Sequence, residues 1–176
     1  MVVFDASFLL LLLDPEARPP NDPETGEPVS RCKDRIEHLI TTFEQNGTKV
    51  LIPTPALSEI LVRAGDAGPA YLESLNGSAR FRIVPFDMRA AVELAQMNRQ
   101  ALEAGDKKSG REAAWSKVKF DRQILAIARV EDAQTIYSDD GGLRRFGQAA
   151  GLKVIGIAEL PLPPEDPQQP LFRSEK

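Results

Sequence analysis

Residues 2–13 read VVFDASFLLLLL, an apolar run that one carboxylate, Asp5, divides into two parts. The residues before Asp5 are β-branched or aromatic and predict a short buried strand. The leucine-rich part after Asp5 predicts a buried helix, because the run is too short to cross a bilayer. A strand followed directly by a helix is the repeating unit of a parallel sheet that helices cover.

The same alternation continues along the chain. Further strands are predicted at 48–52, 81–84, 134–138 and 152–157, and helices at 32–46, 55–64, 69–76, 88–104, 118–131 and 142–150. These helices carry apolar stripes at helical spacing, as in the set Ile36, Leu39, Ile40 and Phe43. We therefore predict a single-domain α/β protein with three layers, α/β/α, in which helices cover both faces of a central, mainly parallel sheet.

The 176 residues suffice for one domain, which we place at residues 1–160. Two segments do not fit a minimal sheet and are predicted to be surface loops. They are residues 14–30, which contain five prolines, and the polar, basic residues 105–117. Residues 161–176 are rich in proline and charge and are predicted to form a loose C-terminal arm.

The composition excludes several classes of protein. Cys32 is the only cysteine, which excludes an internal disulfide, argues against a zinc site and fits a reducing cytoplasm best. Residues 2–13 lack the basic start of a signal peptide and contain Asp5, so we expect no membrane association. The net charge of -4 does not suit a protein that coats nucleic acid, so any such contact must use a local basic patch.

Carboxylates stand where predicted strands give way to helices, or where a helix begins. They are Asp5, Glu59, Asp121, Asp139 and Asp140. The carboxyl ends of parallel strands share one edge of the sheet, and ligands bind at that edge. Carboxylates that meet there repel one another unless a cation lies among them, and oxygen ligands suit Mg²⁺ or Mn²⁺. Because such ions act on phosphate esters, the pattern predicts a metal-dependent phosphodiesterase.

Each acid also has a purely structural interpretation. Asp5 and Asp140 stand where the N-caps of the following helices are expected, and Asp121 suits the first turn of a helix. Glu59 points away from the apolar stripe of its own helix, as a solvated surface residue does. The sequence leaves these interpretations open for each acid singly, while the occurrence of all four at one edge favours the metal site.

Four motifs carry a resemblance to a known family. They are VVFDASFLL (2–10), PALSEIL (55–61), KFDRQILAIA (119–128) and IYSDDGGL (136–143). In this order they resemble the PIN-domain ribonucleases, which include the virulence-associated toxins of bacterial type II toxin–antitoxin pairs. The resemblance runs from Val2 to about Leu160 and implies a PIN-like nuclease domain over residues 1–160.

The resemblance also implies roles for individual residues. The catalytic acids are then Asp5, Glu59, Asp121 and Asp140, the supporting polar residues are Ser7 and Ser138, and the ligands of Mg²⁺ or Mn²⁺ are Asp5, Asp121, Asp139 and Asp140. The family pattern of a hydroxyl residue, any residue and an aspartate selects Asp140 through Ser138. It leaves Asp139 at a variable position, although either acid can reach the metal. The implied partners are single-stranded or structured RNA, a small antitoxin protein and further copies of the chain in a homo-oligomer.

Cations are concentrated around Asp121, with Trp115 among them. These residues are Lys107, Lys108, Arg111, Trp115, Lys117, Lys119 and Arg122. Cations beside a ring suit a single-stranded backbone with a stacked base, so the candidate RNA-binding residues are Lys108, Arg111, Trp115, Lys117 and Lys119. The alternative is a solvated loop whose tryptophan packs on the core. The single histidine, His38, is expected to be exposed and unsuited as a general base.

The main hypothesis is a metal-dependent endoribonuclease that hydrolyses single-stranded RNA and acts as a toxin. The alternative is a catalytically weak PIN-fold module that binds RNA or a protein. A phosphatase or a phospho-receiver domain also uses aspartates at strand ends. However, Ser7 stands where a haloacid-dehalogenase phosphatase needs a second aspartate, and the paired acids here follow a late strand.

Overall fold

A computed structural model describes residues 1–103 and 115–164 of the chain. Its centre is a sheet of five strands, all parallel, in the order β3-β2-β1-β4-β5. The strands are β1 (Val2–Phe4), β2 (Val50–Pro53), β3 (Phe81–Val84), β4 (Thr135–Tyr137) and β5 (Lys153–Ile155). Helices flank this sheet, which confirms the predicted single-domain α/β/α architecture.

Seven helices lie in the described residues. They are α1 (Ala6–Leu13), α2 (Cys32–Asn46), α3 (Thr54–Ala64), α4 (Gly68–Gly77), α5 (Met88–Glu103), α6 (Trp115–Val130) and α7 (Gly141–Ala149). Short 3₁₀ turns follow at Gly65–Ala67 and Ile157–Glu159. None of the helices in this part of the chain is long and apolar enough to cross a membrane.

The start of α3 differs from the predicted one. Pro53 is the N-cap and Thr54 is already helical, whereas the sequence pattern predicted a helix that begins at residue 55. The Thr54 hydroxyl instead accepts a hydrogen bond of 3.0 Å from the backbone N–H of Phe86. Because this partner is distant in sequence, local capping rules do not reveal it. Within the described residues, α6 already includes Trp115, whereas the sequence predicted a helix that begins at 118.

An aromatic cluster packs beneath the ends of the two central strands. The rings of Phe4, Phe8 and Tyr137 lie with centroids 5.4 Å apart, and Phe43 of α2 joins them. Phe4 and Phe8 are fully buried. Tilted and edge-on rings at this separation stabilise a core beyond the burial of their area. Since Asp5 follows Phe4 and Ser138 follows Tyr137, the cluster fixes the strand ends that carry the acids.

Candidate active site

The polar residues meet at the point where the strand order reverses. The chain builds the sheet outward from β1 through β2 to β3, and then returns to the other side of β1 with β4. Ligands of doubly wound sheets bind at such switch points, outside the carboxyl ends of the strands. The structure has a cleft of about 630 Å³ at this position. Its lining includes Asp5, Ser7, Glu59, Asp121, Asp139 and Asp140, while Ser138 is fully buried beneath it.

Asp5 is held by hydrogen bonds at the end of β1. Its Oδ1 accepts from the backbone N–H groups of Ser7 (2.9 Å) and Phe8 (3.1 Å) and from the Ser7 hydroxyl (2.7 Å). Its Oδ2 accepts from the Ser138 hydroxyl. The backbone contacts make Asp5 the N-cap of α1, so the structural interpretation of this acid holds. It does not exclude a second role, because the carboxylate also lines the cleft.

Two serines connect Asp5 to the turn that follows β4. The Ser7 hydroxyl accepts from the backbone N–H of Asp139 (3.2 Å), and the Ser138 hydroxyl accepts from that of Asp140 (3.0 Å). Each hydroxyl therefore accepts from the turn and donates its own hydrogen to Asp5. The two serines thereby fix the distance between the acids of the two strands, and Asp5 receives four hydrogen bonds as a carboxylate.

Burial makes the Asp5 charge costly. Only 5% of the residue is exposed, and this desolvation raises its pKa from 3.8 to about 6. The hydrogen bonds from Ser138, Ser7 and Phe8 act in the opposite direction, while the nearby charge of Asp139 raises the pKa further. At neutral pH Asp5 is therefore a buried carboxylate whose charge a cation in the cleft would stabilise.

The tandem acids after β4 occupy different environments. Asp140 is the N-cap of α7, and its Oδ1 accepts from the backbone N–H groups of Gly142 (2.6 Å) and Leu143 (3.0 Å). Asp139 accepts instead from the backbone N–H of Ile157 through Oδ1 (2.9 Å). The absence of a side chain at Gly156 permits this contact, since a Cβ there would lie 2.8 Å from the same oxygen.

The second oxygen of Asp139 is a candidate ligand atom for a cation. Oδ2 is buried and has no hydrogen-bond partner within residues 1–103 and 115–164. Burial raises the pKa of this carboxyl, although the Ile157 N–H and the Arg144 guanidinium partly offset the shift. A buried carboxylate oxygen that lacks a donor is costly unless a cation or water occupies its vicinity.

Asp121 and Glu59 enter the cleft from two helices that pack against each other, α6 and α3. Asp121 is buried, with only 6% exposed. Glu59 is half exposed and forms an ion pair of 2.7 Å with Arg63 one turn later. The sequence correctly placed Glu59 away from the apolar stripe, and its present partner is a cation of its own helix.

The donor set fits a hard divalent cation, because buried carboxylate oxygens from two strand ends and a helix line one cleft. The unpartnered oxygen of Asp139 points to the same kind of ligand. In the part of the chain that the structure describes, no three His, Cys, Asp or Glu side chains group closely enough to hold a metal ion as they stand.

The predicted RNA-binding residues are only partly described. Lys108 and Arg111, and the side chains of Trp115 and Lys117, lie outside the described part of the chain. Lys119 is exposed on α6. Arg122, which the sequence grouped with these cations, is buried. It donates to Asn98 (2.6 Å) and lies over the Phe146 ring at 5.5 Å, so it acts in packing rather than at the surface.

Several residues that line the cleft were not identified by the sequence analysis. Val62 and Phe120 are exposed and line it, as does the half-exposed Arg63. Phe120 stands four residues before the buried Ile124, a spacing that in the sequence indicates an ordinary core stripe. Only the packing of α6 reveals that the ring reaches the rim.

His38 is partly buried rather than exposed, and it is not among the residues that line the cleft.

No protein-family model and no curated protein matches the sequence. Several solved structures match its fold. The crystal structure of VapBC2 from Rickettsia felis, bound to a DNA fragment from its promoter, matches with a TM-score of 0.60 at 12% identity. The match covers 89% of this chain and 98% of that chain. DNA-bound VapBC from Salmonella typhimurium matches with a TM-score of 0.53 at 16% identity, over 89% and 97% of the two chains.

VapC20 of Mycobacterium tuberculosis, a Sarcin-Ricin loop cleaving toxin, matches with a TM-score of 0.54 at 19% identity, over 92% of this chain and 100% of that chain. Identities this low establish the fold alone. The chain has the PIN-like fold of these VapC proteins, which confirms at the level of the fold the resemblance found in the sequence.

Proposed function

We propose that the protein is a metal-dependent endoribonuclease that hydrolyses phosphodiester bonds in single-stranded RNA. One observation carries the proposal. The buried carboxylates of Asp5 and Asp121 line a cleft at the switch point of the sheet, together with an oxygen of Asp139 that has no partner among the described residues. Asp5 also caps α1, but helix capping does not account for the grouping of several buried acids, because each buried charge costs free energy unless a cation offsets it.

The residues that would hold Mg²⁺ or Mn²⁺ are Asp5, Asp121, Asp139 and Asp140. Such an ion, when bound, supplies activation of a water molecule and stabilises charge on the scissile phosphate. Ser7 and Ser138 orient the Asp5 carboxylate, since both of their hydroxyls donate to it. Glu59 can join the site only after it leaves Arg63, which costs little because an exposed ion pair contributes only about 0–1 kcal/mol.

We further propose that the protein is a toxin whose partner is a small antitoxin protein. The VapBC complexes from Rickettsia felis and Salmonella typhimurium, which share the fold, support this partner. If the proposal is right, a small protein encoded next to this one should co-purify with it and suppress its ribonuclease activity. Sequencing of the bound protein identifies the partner directly.

A binding module without strong catalysis is the second candidate. The structural roles of the acids favour this candidate, since Asp5 and Asp140 cap helices and Glu59 forms an ion pair with Arg63. Incubation of the wild-type protein with total RNA in Mg²⁺, in Mn²⁺ and in EDTA separates the two. The nuclease produces fragments only with a divalent ion. Binding of RNA that is never cleaved under any of these conditions would establish the module.

Asp140→Asn should reduce cleavage much more than Asp139→Asn. The spacing from Ser138 selects Asp140, and asparagine is nearly as good an N-cap as aspartate, so α7 should remain intact. Initial cleavage rates of the two variants, with thermal melting beside them, measure the difference. Equal losses would mean that both carboxylates serve the site. A larger loss at Asp139 would identify its unpartnered oxygen as the essential ligand and would show that the family pattern is shifted by one residue.

Replacement of Lys108, Arg111, Lys117 and Lys119 by alanine should weaken RNA binding regardless of sequence. The slope of log affinity against log salt should fall by about 0.7 for each single-strand phosphate that the variant no longer neutralises. Lys49→Ala and Lys153→Ala provide the control, because these exposed lysines lie at the opposite edge of the sheet, before β2 and at the start of β5. Filter binding at several salt concentrations measures the slope. If the salt slope of the fourfold variant equals that of the wild type, these four cations do not contact RNA and belong to an ordinary solvated surface.

A further inference from the structure

The rim of the cleft combines exposed apolar surface with a cation. Phe120 is 50% exposed and Val62 is 81% exposed. The large hydrophobic residues that are exposed in the described part of the chain are Met1, Val62, Met88, Val92, Phe120 and Leu162. Of these, Val62 and Phe120 line the acidic cleft. Single apolar residues at a surface need no explanation, but two beside a group of buried acids indicate contact with a ligand.

These residues belong to two helices that pack against each other and together line the cleft. Phe120 belongs to α6, one turn before Ile124, which is buried deeper in the same cleft. Val62 and Arg63 belong to α3, which packs against α6. The side chain of Arg63 is half exposed, and its pairing with Glu59 is of the kind that contributes little stability. The guanidinium can therefore exchange the carboxylate for another anion, such as a phosphate, at small cost.

We propose that Phe120 and Arg63 form a binding site for one unpaired nucleotide of the RNA substrate, beside the scissile phosphate. This inference rests on the proposed ribonuclease function. The Phe120 ring stacks on the base, and the Arg63 guanidinium binds the phosphate of the same nucleotide. An unpaired base presents its face to a protein, whereas a base inside a duplex is stacked on its neighbours. The site therefore favours single-stranded RNA without selecting one base strongly.

The test compares two probes in EDTA, where metal-dependent cleavage is stopped. One probe is a short adenosine RNA, and the other is a ribose-phosphate oligomer of the same length without bases. The wild type should prefer the adenosine RNA, and Phe120→Ala should weaken that binding by roughly 5- to 150-fold, the range expected when a stacking ring is removed. The variant should bind the two probes alike, while Phe120→Trp should restore the preference. Melting curves of each variant verify that it is folded.

Arg63→Gln should leave the preference for bases intact and lower the salt slope by about 0.7, which corresponds to the release of one phosphate. Met88→Ala is the matched control, because Met88 is 80% exposed on α5 and does not line the cleft. Met88→Ala should change neither the preference for bases nor the salt slope. An unchanged salt slope in Arg63→Gln would overturn the assignment of Arg63 as the phosphate ligand.

A Phe120→Ala variant that retains the preference of the wild type for bases would overturn the role of Phe120. If that variant also changes oligomeric state in gel filtration, or loses antitoxin binding, the exposed ring belongs to a protein interface instead. Failure of the nuclease proposal is distinguishable from this result, because a wild type that cleaves no RNA with Mn²⁺ can still show a preference for bases that depends on Phe120.

Discussion

Asp5→Asn and Asp121→Asn should each reduce Mg²⁺- or Mn²⁺-dependent cleavage of single-stranded RNA on the order of 100-fold or more. Both residues are buried at the cleft, and each substitution removes one of the negative charges that would hold the ion. Asparagine keeps the size of the side chain, and its amide oxygen can accept the hydrogen bonds from Ser7 and Phe8 that cap α1. The loss should therefore come from the site and not from unfolding.

Asp22→Asn is the matched control for these variants. Asp22 also accepts hydrogen bonds from the backbone, 2.8 Å from the N–H of Glu24, but it lies in the exposed loop between α1 and α2. Its substitution should leave cleavage unchanged. Initial rates over a range of Mn²⁺ concentrations should show that the Asp5 and Asp121 variants need more Mn²⁺ than the wild type to reach half of their maximal rate. Full activity in either variant would remove that acid from the site.

The sequence predicted the sheet well because the signals that define it are local. Every strand lies within two residues of its predicted position, and the apolar stripe of α2 is buried on one side as expected. The order of strands and helices, together with their parallel connections, was enough to bring Asp5 and the acids after β4 to one edge. This part of the site follows from topology, which the alternation of elements determines.

The remaining features depend on contacts between residues far apart in sequence. The burial of Arg122 requires Asn98 of α5 and Phe146 of α7, and the exposure of Phe120 depends on how α6 packs against α3. The orientation of Asp139 is set by the N–H of Ile157 beside a glycine after β5. Periodicity along one helix cannot reveal such partners, so the sequence treated Arg122 as a surface cation and did not identify Phe120.

The stability of the metal-free protein should depend on the titration of Asp5. Its pKa is about 6 in the folded protein and 3.8 in an ordinary environment, so the folded state binds the proton more tightly. The stabilisation is complete below pH 3.8 and is lost as the pH rises through about 6. At 1.36 kcal/mol per pH unit, the free energy of unfolding should fall by about 3 kcal/mol, which corresponds to roughly 6–12 °C in melting temperature.

Other charged groups also surround the cleft, namely Glu59, Arg63, Asp121, Asp139 and Asp140. Burial raises the pKa of Asp139 in the same direction as that of Asp5, so a pH titration of the wild type alone does not isolate Asp5. Comparison with Asp5→Asn isolates the contribution of Asp5, because asparagine does not titrate and the other groups remain in both proteins. The variant should match the wild type near pH 4 and exceed its stability by about 3 kcal/mol at pH 7 without metal.

Addition of Mn²⁺ at pH 7 should make the wild type more stable than Asp5→Asn, which reverses the order of stability found without metal. An ion that binds only the folded state stabilises it in proportion to its affinity, and the wild type retains the carboxylate that the variant lacks. Chemical denaturation at each pH, with and without Mn²⁺, measures both effects. If the difference in free energy of unfolding between the two proteins stays constant from pH 4 to pH 7, burial does not desolvate the Asp5 carboxyl in solution. If Mn²⁺ stabilises both proteins equally, Asp5 is not a ligand of the ion.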